Sequence, residues 1–345
     1  MALRKSRRAV GIKLGAMKSL MTATFLLVAA PLAWAQSPWT VSSPDGRTVI
    51  SAARKDDGGL VWSVSRDGQT ILADSPLGVR RADQSFDIGL AFVSASDITT
   101  IDERYTLPHG KRRDHHVVGR ERTVTFANYS GTRIDVVLRA HDDGVAFRYR
   151  FPERDSTAKT VKEEITGFHV PDGSTGWLLP HQEVSKYGPA YEDLFVEVKS
   201  GTTAPRADGW SFPALFKTPS GRWMLLTESA LDETYCGSHL APDVQNGVYR
   251  IKFPDPKEGL GVGGVEPVST PPWMLPWRVV IVGDAAGRIL ESDLVNDLAP
   301  PSRVADTSWI KPGRAAWSWW SESDSPKHAE ALDAFTNLAA DMGWE

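Results

Sequence analysis

A single cysteine, Cys236, leaves this 345-residue chain no disulfide of its own. The same scarcity removes cysteine-built zinc sites. Cys236 has no neighbouring base in the sequence and reads as a structural residue. There is no G-x-S-x-G elbow, no P-loop and no dinucleotide-binding fingerprint. Neither sign of charge dominates, with 39 Lys and Arg against 43 Asp and Glu. That balance gives no support to nucleic-acid or polyanion binding. Past residue 35 no apolar run approaches a membrane-spanning length. Sustained helical periodicity is missing from Trp39 to about Gly283.

The first residues form a targeting segment. Leu20 to Ala35 is an apolar run preceded by Lys18 and ended by Ala33-Trp34-Ala35, an A-x-A-like cleavage site. Cleavage there leaves Gln36 as the first mature residue, and Met17 would by itself start a signal of ordinary length. Arg7-Arg8 lies too far from the apolar run for a twin-arginine signal. No cysteine stands at the cleavage site, so a lipoprotein anchor is excluded. The expected location is periplasmic or secreted, with no membrane anchor.

From Trp39 onward the pattern is short strands and tight turns. TVISAA, LVWSVSR, RTVTFAN, RIDVVLRA, VAFRYRF, WMLLTES, VYRIKF and WRVVIVG read as strands. Asp45-Gly46, Asp67-Gly68 and Asp143-Gly144 are hairpin-type dipeptides between them. The fold class expected is mainly β, a large antiparallel sandwich over residues 36–283. Residues 284–312 read as a linker with one short helix, from about Gly287 to Leu298, ended by Pro300-Pro301. Residues 313–345 then change class. Ala315 to Trp320 reads as a strand. Ser325 and Pro326 open a helix whose Leu332, Phe335, Leu338, Ala339 and Met342 share a face, and Gly343 closes it. Trp344-Glu345 would start another strand, so this tail is one βα unit cut off before the next.

Three stretches carry polar side chains in groups. Leu179 to Val198 reads as a long loop with His181, Glu183, Lys186, Tyr187, Tyr191, Glu192 and Asp193. Such a loop suits binding on a rigid scaffold, and equally suits a solvated connection whose tyrosines pack on the sandwich. Glu183 and Glu192 can serve a hard cation as oxygen ligands. Ca²⁺ takes about 6–8 oxygens, so the loop would supply one or two and other segments the rest. His109 to His116, HGKRRDHH, fits no zinc spacing and reads as a solvated basic loop. Asp142 and Asp143 sit at a turn and read as structural. The 13 tryptophans include Trp317, Trp319 and Trp320 in the tail. Exposed tryptophan is a platform for sugar rings, although burial is its commoner fate.

Taken in order, SPDG, RAHDDGVAFRYRF, LLPHQEVSKYGPAYEDLF, TPPWMLPWRVVIVG, KPGRAAWSWWS and ADMGWE make the chain resemble glycoside hydrolase family 97 over essentially everything after Gln36. That resemblance implies an exported bacterial α-glucosidase or α-galactosidase. It implies an N-terminal β-supersandwich, a central (β/α)₈ barrel of which residues 313–345 are the first βα unit, and a small C-terminal β-domain. It implies one Ca²⁺ near the active site, with one ligand from the N-terminal domain, best matched by Glu192 and second by Glu183. It places Trp317, Trp319 and Trp320 on the first barrel strand beside the sugar, Trp317 and Trp319 on one face and Trp320 on the other. The family's catalytic carboxylates fall after Glu345, so this chain should be inactive alone towards an α-linked oligosaccharide or glycoside. A non-catalytic carbohydrate-binding sandwich is the alternative, and a structural or adhesion sandwich a third reading. The barrel-like tail disfavours the second and the carboxylate-rich loop the third.

Overall fold

Local turn chemistry sets the first hairpins. In the computed structural model, which describes residues 38–344, Asp67 and Gly68 both take positive φ, 51° and 75°. That is the twist a two-residue hairpin turn needs, and it pairs Leu60–Arg66 with Gln69–Leu77 from Arg66↔Gln69 outward. Asp45 holds the preceding turn by accepting from Ser43 Oγ and Arg47 N. The third dipeptide works differently. Arg133–His141 and Gly144–Phe151 pair from His141↔Gly144, so Asp142 and Asp143 make the turn. Gly144 is needed for close approach instead, since a Cβ there would stand 2.5 Å from the Val280 carbonyl oxygen. The leader and its cleavage site lie outside the described residues.

All eight expected strands form, and every pairing among the described strands is antiparallel. They belong to one 18-stranded sheet that curls round an inner core, with a second, four-stranded sheet beside it. Alternate side chains of the inner strands enter that core, among them Ile50, Trp62, Phe147, Phe168, Phe216 and Val280. Trp62 sits at its centre, 4.7 Å from the ring of Phe147 and 5.7 Å from Phe168, with its indole N–H donating to the Gly167 carbonyl. The strand Trp277–Gly283 is buried along its whole length. Its inner side chains are Arg278, Val280 and Val282. Its outer ones, Trp277, Val279 and Ile281, lie under two short helices, α1 (Ala286–Glu291) and α2 (Leu294–Asp297), through Ile289, Leu294 and Leu298. A strand covered on both faces has no polar alternation, which is why WRVVIVG reads as a run.

The single linker helix expected over about 287–298 is two. It breaks at Ser292, whose hydroxyl donates to Asp143 while accepting from Leu294 N. The tail departs further. Ala315 to Trp320 forms no strand, and no barrel unit is seen. An isolated parallel strand has no neighbour to satisfy its amides. The chain turns instead, with Ser321 N and Glu322 N donating to the Ser318 carbonyl. One 3₁₀ turn over Ser325–Lys327 follows, and α3 (Ala329–Asp341) begins after His328 rather than after Ser325. Gly343 closes it at φ 62°. Trp344 folds back, donating its amide to Ala339 O, and opens no strand. α3 buries no side chain at all, so its apolar stripe is uncovered.

Candidate functional site

The strand Thr175–Pro180 ends in the polar loop, which returns to the sheet at Val196–Lys199. The loop is tied down by its own polar side chains. The Gln182 carbonyl accepts from Ala190 N at 2.6 Å and from Tyr191 N at 3.0 Å. Ser185 Oγ accepts from Gly188 N at 2.8 Å, and Asp193 is ion-paired with Arg206. These bonds hold Tyr191 in a left-handed conformation, φ 59°, which a non-glycine residue adopts only when its surroundings enforce it.

Beneath the loop lies a polar floor. His181 is buried, bonds Ser211 Oγ through Nδ1 at 2.9 Å, and stacks on His239 with ring centres 4.0 Å apart. Tyr191 meets His181 edge-on, and Glu258 Oε1 stands 3.7 Å from His181 Nε2. Burial holds both imidazoles below the ordinary histidine range, outweighing Glu258 at His181; His239 is pushed down to about 3. Burial, then Glu258 and Glu228, raise the Tyr191 hydroxyl. Deeper still, Arg278 is fully buried. It donates to Glu164 through Nε at 2.8 Å, to Ser238 Oγ at 3.0 Å, and pairs with Glu228. Burial pushes the Glu164 carboxyl up, but the Arg278 charge and hydrogen bonds outweigh it and leave it below the usual range.

Glu183 and Glu192 stand exposed on this loop, and neither has a hydrogen bond or ion pair from its carboxylate among the described residues. Glu183 lines a depression of about 430 Å³ together with Gln182, Ser185, Tyr187 and Arg206; Glu192 lies outside that lining. Among the described residues no group of three His, Cys, Asp or Glu side chains is placed to hold a metal ion. Trp317, Trp319 and Trp320 do not join the depression. They are exposed in the tail, and Trp317 pairs with Trp320, ring centres 5.7 Å apart, rather than sharing a face with Trp319. The strand alternation that would have set the other grouping is absent.

The remaining polar stretches are structural. The basic loop is not solvated along its whole length. Lys111 Nζ donates to the carbonyls of Leu290 and Ser292, and Arg112 to that of Glu291, where α1 ends. His115 stacks on Tyr105, whose hydroxyl donates to Asp297. Asp142 accepts from Asp45 N, and burial pushes the Cys236 thiol up to about 12. His239 and Glu258 escape sequence reasoning because they come from segments separate from the loop. Only Glu258 had a local signal, since Asp255-Pro256-Lys257-Glu258 is a capping box and forms one.

Against known proteins, residues 41–301 match the family described as "Glycosyl-hydrolase 97 N-terminal". The chain is 35% identical over 330 residues to a probable retaining alpha-galactosidase of Streptomyces bingchenggensis, covering 94% of this chain and 48% of that protein. It is 25% identical over 319 residues to a retaining alpha-galactosidase of Bacteroides thetaiotaomicron, covering 84% of this chain and 45% of that protein. A solved beta-arabinopyranosidase superposes with a TM-score of 0.83 at 29% identity, over 89% of this chain and 50% of that one. The chain thus spans about half the length of the relatives it matches.

Proposed function

This chain belongs to glycoside hydrolase family 97, and from that membership we propose that it is the N-terminal, non-catalytic half of an exported α-galactosidase. The observation that carries the sugar is the likeness to two retaining alpha-galactosidases along most of the chain. A retaining glycosidase needs two carboxyl groups about 5–5.5 Å apart across the scissile bond, one as nucleophile and one as acid then base. That pair belongs to the barrel that follows, of which residues 313–345 are the start.

This half presents the loop of residues 181–195 to the sugar site. Gln182, Ser185 and the Asp193–Arg206 pair fix its backbone. Glu192 offers a ligand oxygen, with Glu183 as second choice. Bound Ca²⁺ supplies positive charge close to the leaving oxygen. In the whole enzyme Trp317, Trp319 and Trp320 give the sugar ring aromatic surface to lie against.

The test compares this chain with the longer enzyme on p-nitrophenyl α-galactoside, α-glucoside and β-arabinopyranoside, with calcium titrated. The longer enzyme should turn over the α-galactoside fastest and lose calcium-dependent activity with Glu192→Gln. This chain alone should turn over none and bind calcium only in the millimolar range or weaker, roughly that of the weakest extracellular sites. Activity of the short chain that survives both Glu192→Gln and Glu183→Gln would overturn the assignment. Export predicts that secreted material begins at Gln36.

A further inference from the structure

Arg148 is a half-buried cation of the sandwich with neither an ion-pair partner nor a side-chain hydrogen-bond acceptor among the described residues. It lies on the outer face of Gly144–Phe151, opposite Val137, with its guanidinium carbon over the Trp277 ring, 4.1 Å from the ring centre. The neighbouring arginines have partners. Arg139, on the same ring at 4.8 Å, is bound to Glu121 at 2.7 Å, and Arg150 faces Asp135. Among the described residues the Arg148 side chain has no hydrogen bond and no carboxylate within ion-pairing distance; the charge of Glu121, bound to Arg139, acts on it from further off, and its Nε is buried without an acceptor. Burial, and then Arg139, lower its pKa to about 10. A guanidinium over an indole keeps its N–H donors, and a carboxylate can bind such a fork in two places. The Nε of Arg148 is buried without an acceptor, which costs free energy that a packed anion would recover.

The surroundings say where the anion comes from. Arg148 belongs to the same outer sheet face that α1 and α2 cross as the chain leaves the sandwich. Those helices cover only part of it. Leu215, Trp223 and Leu225 remain half-buried beside them, and Met274, paired with Arg150, is exposed. This is an apolar face with one unanswered positive charge, adjoining the exit of the chain.

We infer that Arg148 is the receiving half of an interdomain ion pair, taking an aspartate or glutamate carboxylate from the catalytic half packed on this face. The inference rests on the reading of the chain as half of a longer enzyme. Its test is the thermal unfolding of Arg148→Met in two backgrounds, this chain and the longer enzyme. In this chain, where no anion is lost, the unfolding temperature should move by less than about 1 °C. In the longer enzyme the stranded carboxylate should lower it by about 3 °C or more. Arg148→Lys keeps the charge without the fork and should give a smaller loss, again only in the longer enzyme; it replaces the Met variant if that does not fold. Equal losses in both backgrounds, or no loss in either, would overturn the ion pair. The functional reading fails separately. A longer enzyme without glycosidase activity that still shows the selective loss refutes the activity and leaves the ion pair standing.

Discussion

Residues 39–298 and residues 300–344 are both rich in tryptophan and both carry clear secondary-structure signals, yet only the first stretch packs. In the sandwich Trp62, Trp210 and Trp277 are buried, and polar groups as expensive as Arg278 are buried with them. In the tail Trp309, Trp317, Trp319 and Trp320 are all exposed, and α3 keeps its turns with no side chain buried. The difference lies in partners. A strand or an amphipathic helix is a half-finished surface, and it is stabilised only when something covers it. The sandwich closes on itself through pairings far apart in sequence. The tail has no cover among the described residues.

The largest expected effect tests the sandwich. Arg278→Ala strands Glu164 and Glu228 in a buried site and should destabilise by about 3–5 kcal/mol or more. Urea unfolding checks it, and a loss below about 1 kcal/mol would mean the network is solvated after all. A smaller effect appears with pH. The His239 imidazole protonates near 6.5 when unfolded but only near 3 in the fold, so between these values the unfolded chain binds more protons. Its contribution is complete above pH 6.5 and drains away as pH falls towards 3, by at most about 1.4 kcal/mol per pH unit. His239→Gln should flatten that slope between pH 6.5 and 5, measured by urea midpoints; an unchanged slope would show that His239 is not what titrates. The smallest effect belongs to the tail. Leu338→Ala, at a position 47% exposed, should change stability by no more than about 0.5 kcal/mol. A loss of about 2 kcal/mol would show that α3 is covered and would dissolve the contrast.

Much of this was legible residue by residue. The eight strands show as alternation or as short apolar runs. Asp67-Gly68 is a turn because glycine and aspartate tolerate positive φ, and Gly343 stops α3 for the same reason. The loop of residues 181–195 stood out by its polar side chains, but the histidine floor under it did not. His181 and His239 are 58 positions apart and meet only because the strands Thr175–Pro180 and His239–Leu240 both pair with Trp210–Lys217, with Pro180 and Leu240 each opposite Trp210. HGKRRDHH showed its charge but not its use, since the carbonyls it caps lie in α1.

Two segments define the boundary. Ala315 to Trp320 has strand composition and forms none, because a strand is a relation between segments and composition describes only one. Glu164, at the end of the charged strand Lys159–Glu164, is buried against Arg278, 114 residues away, a pairing that no local pattern announces. Sequence alone determined what depends on covalent geometry and nearest neighbours: turns, alternation and helix ends, together with the family likeness that order and spacing carry. Tertiary structure decided which charge meets which, which tryptophans are covered, and that Arg148 has no anion. Those outcomes depend on chain closure over a hundred residues or more, where a single register or crossing fixes many contacts at once.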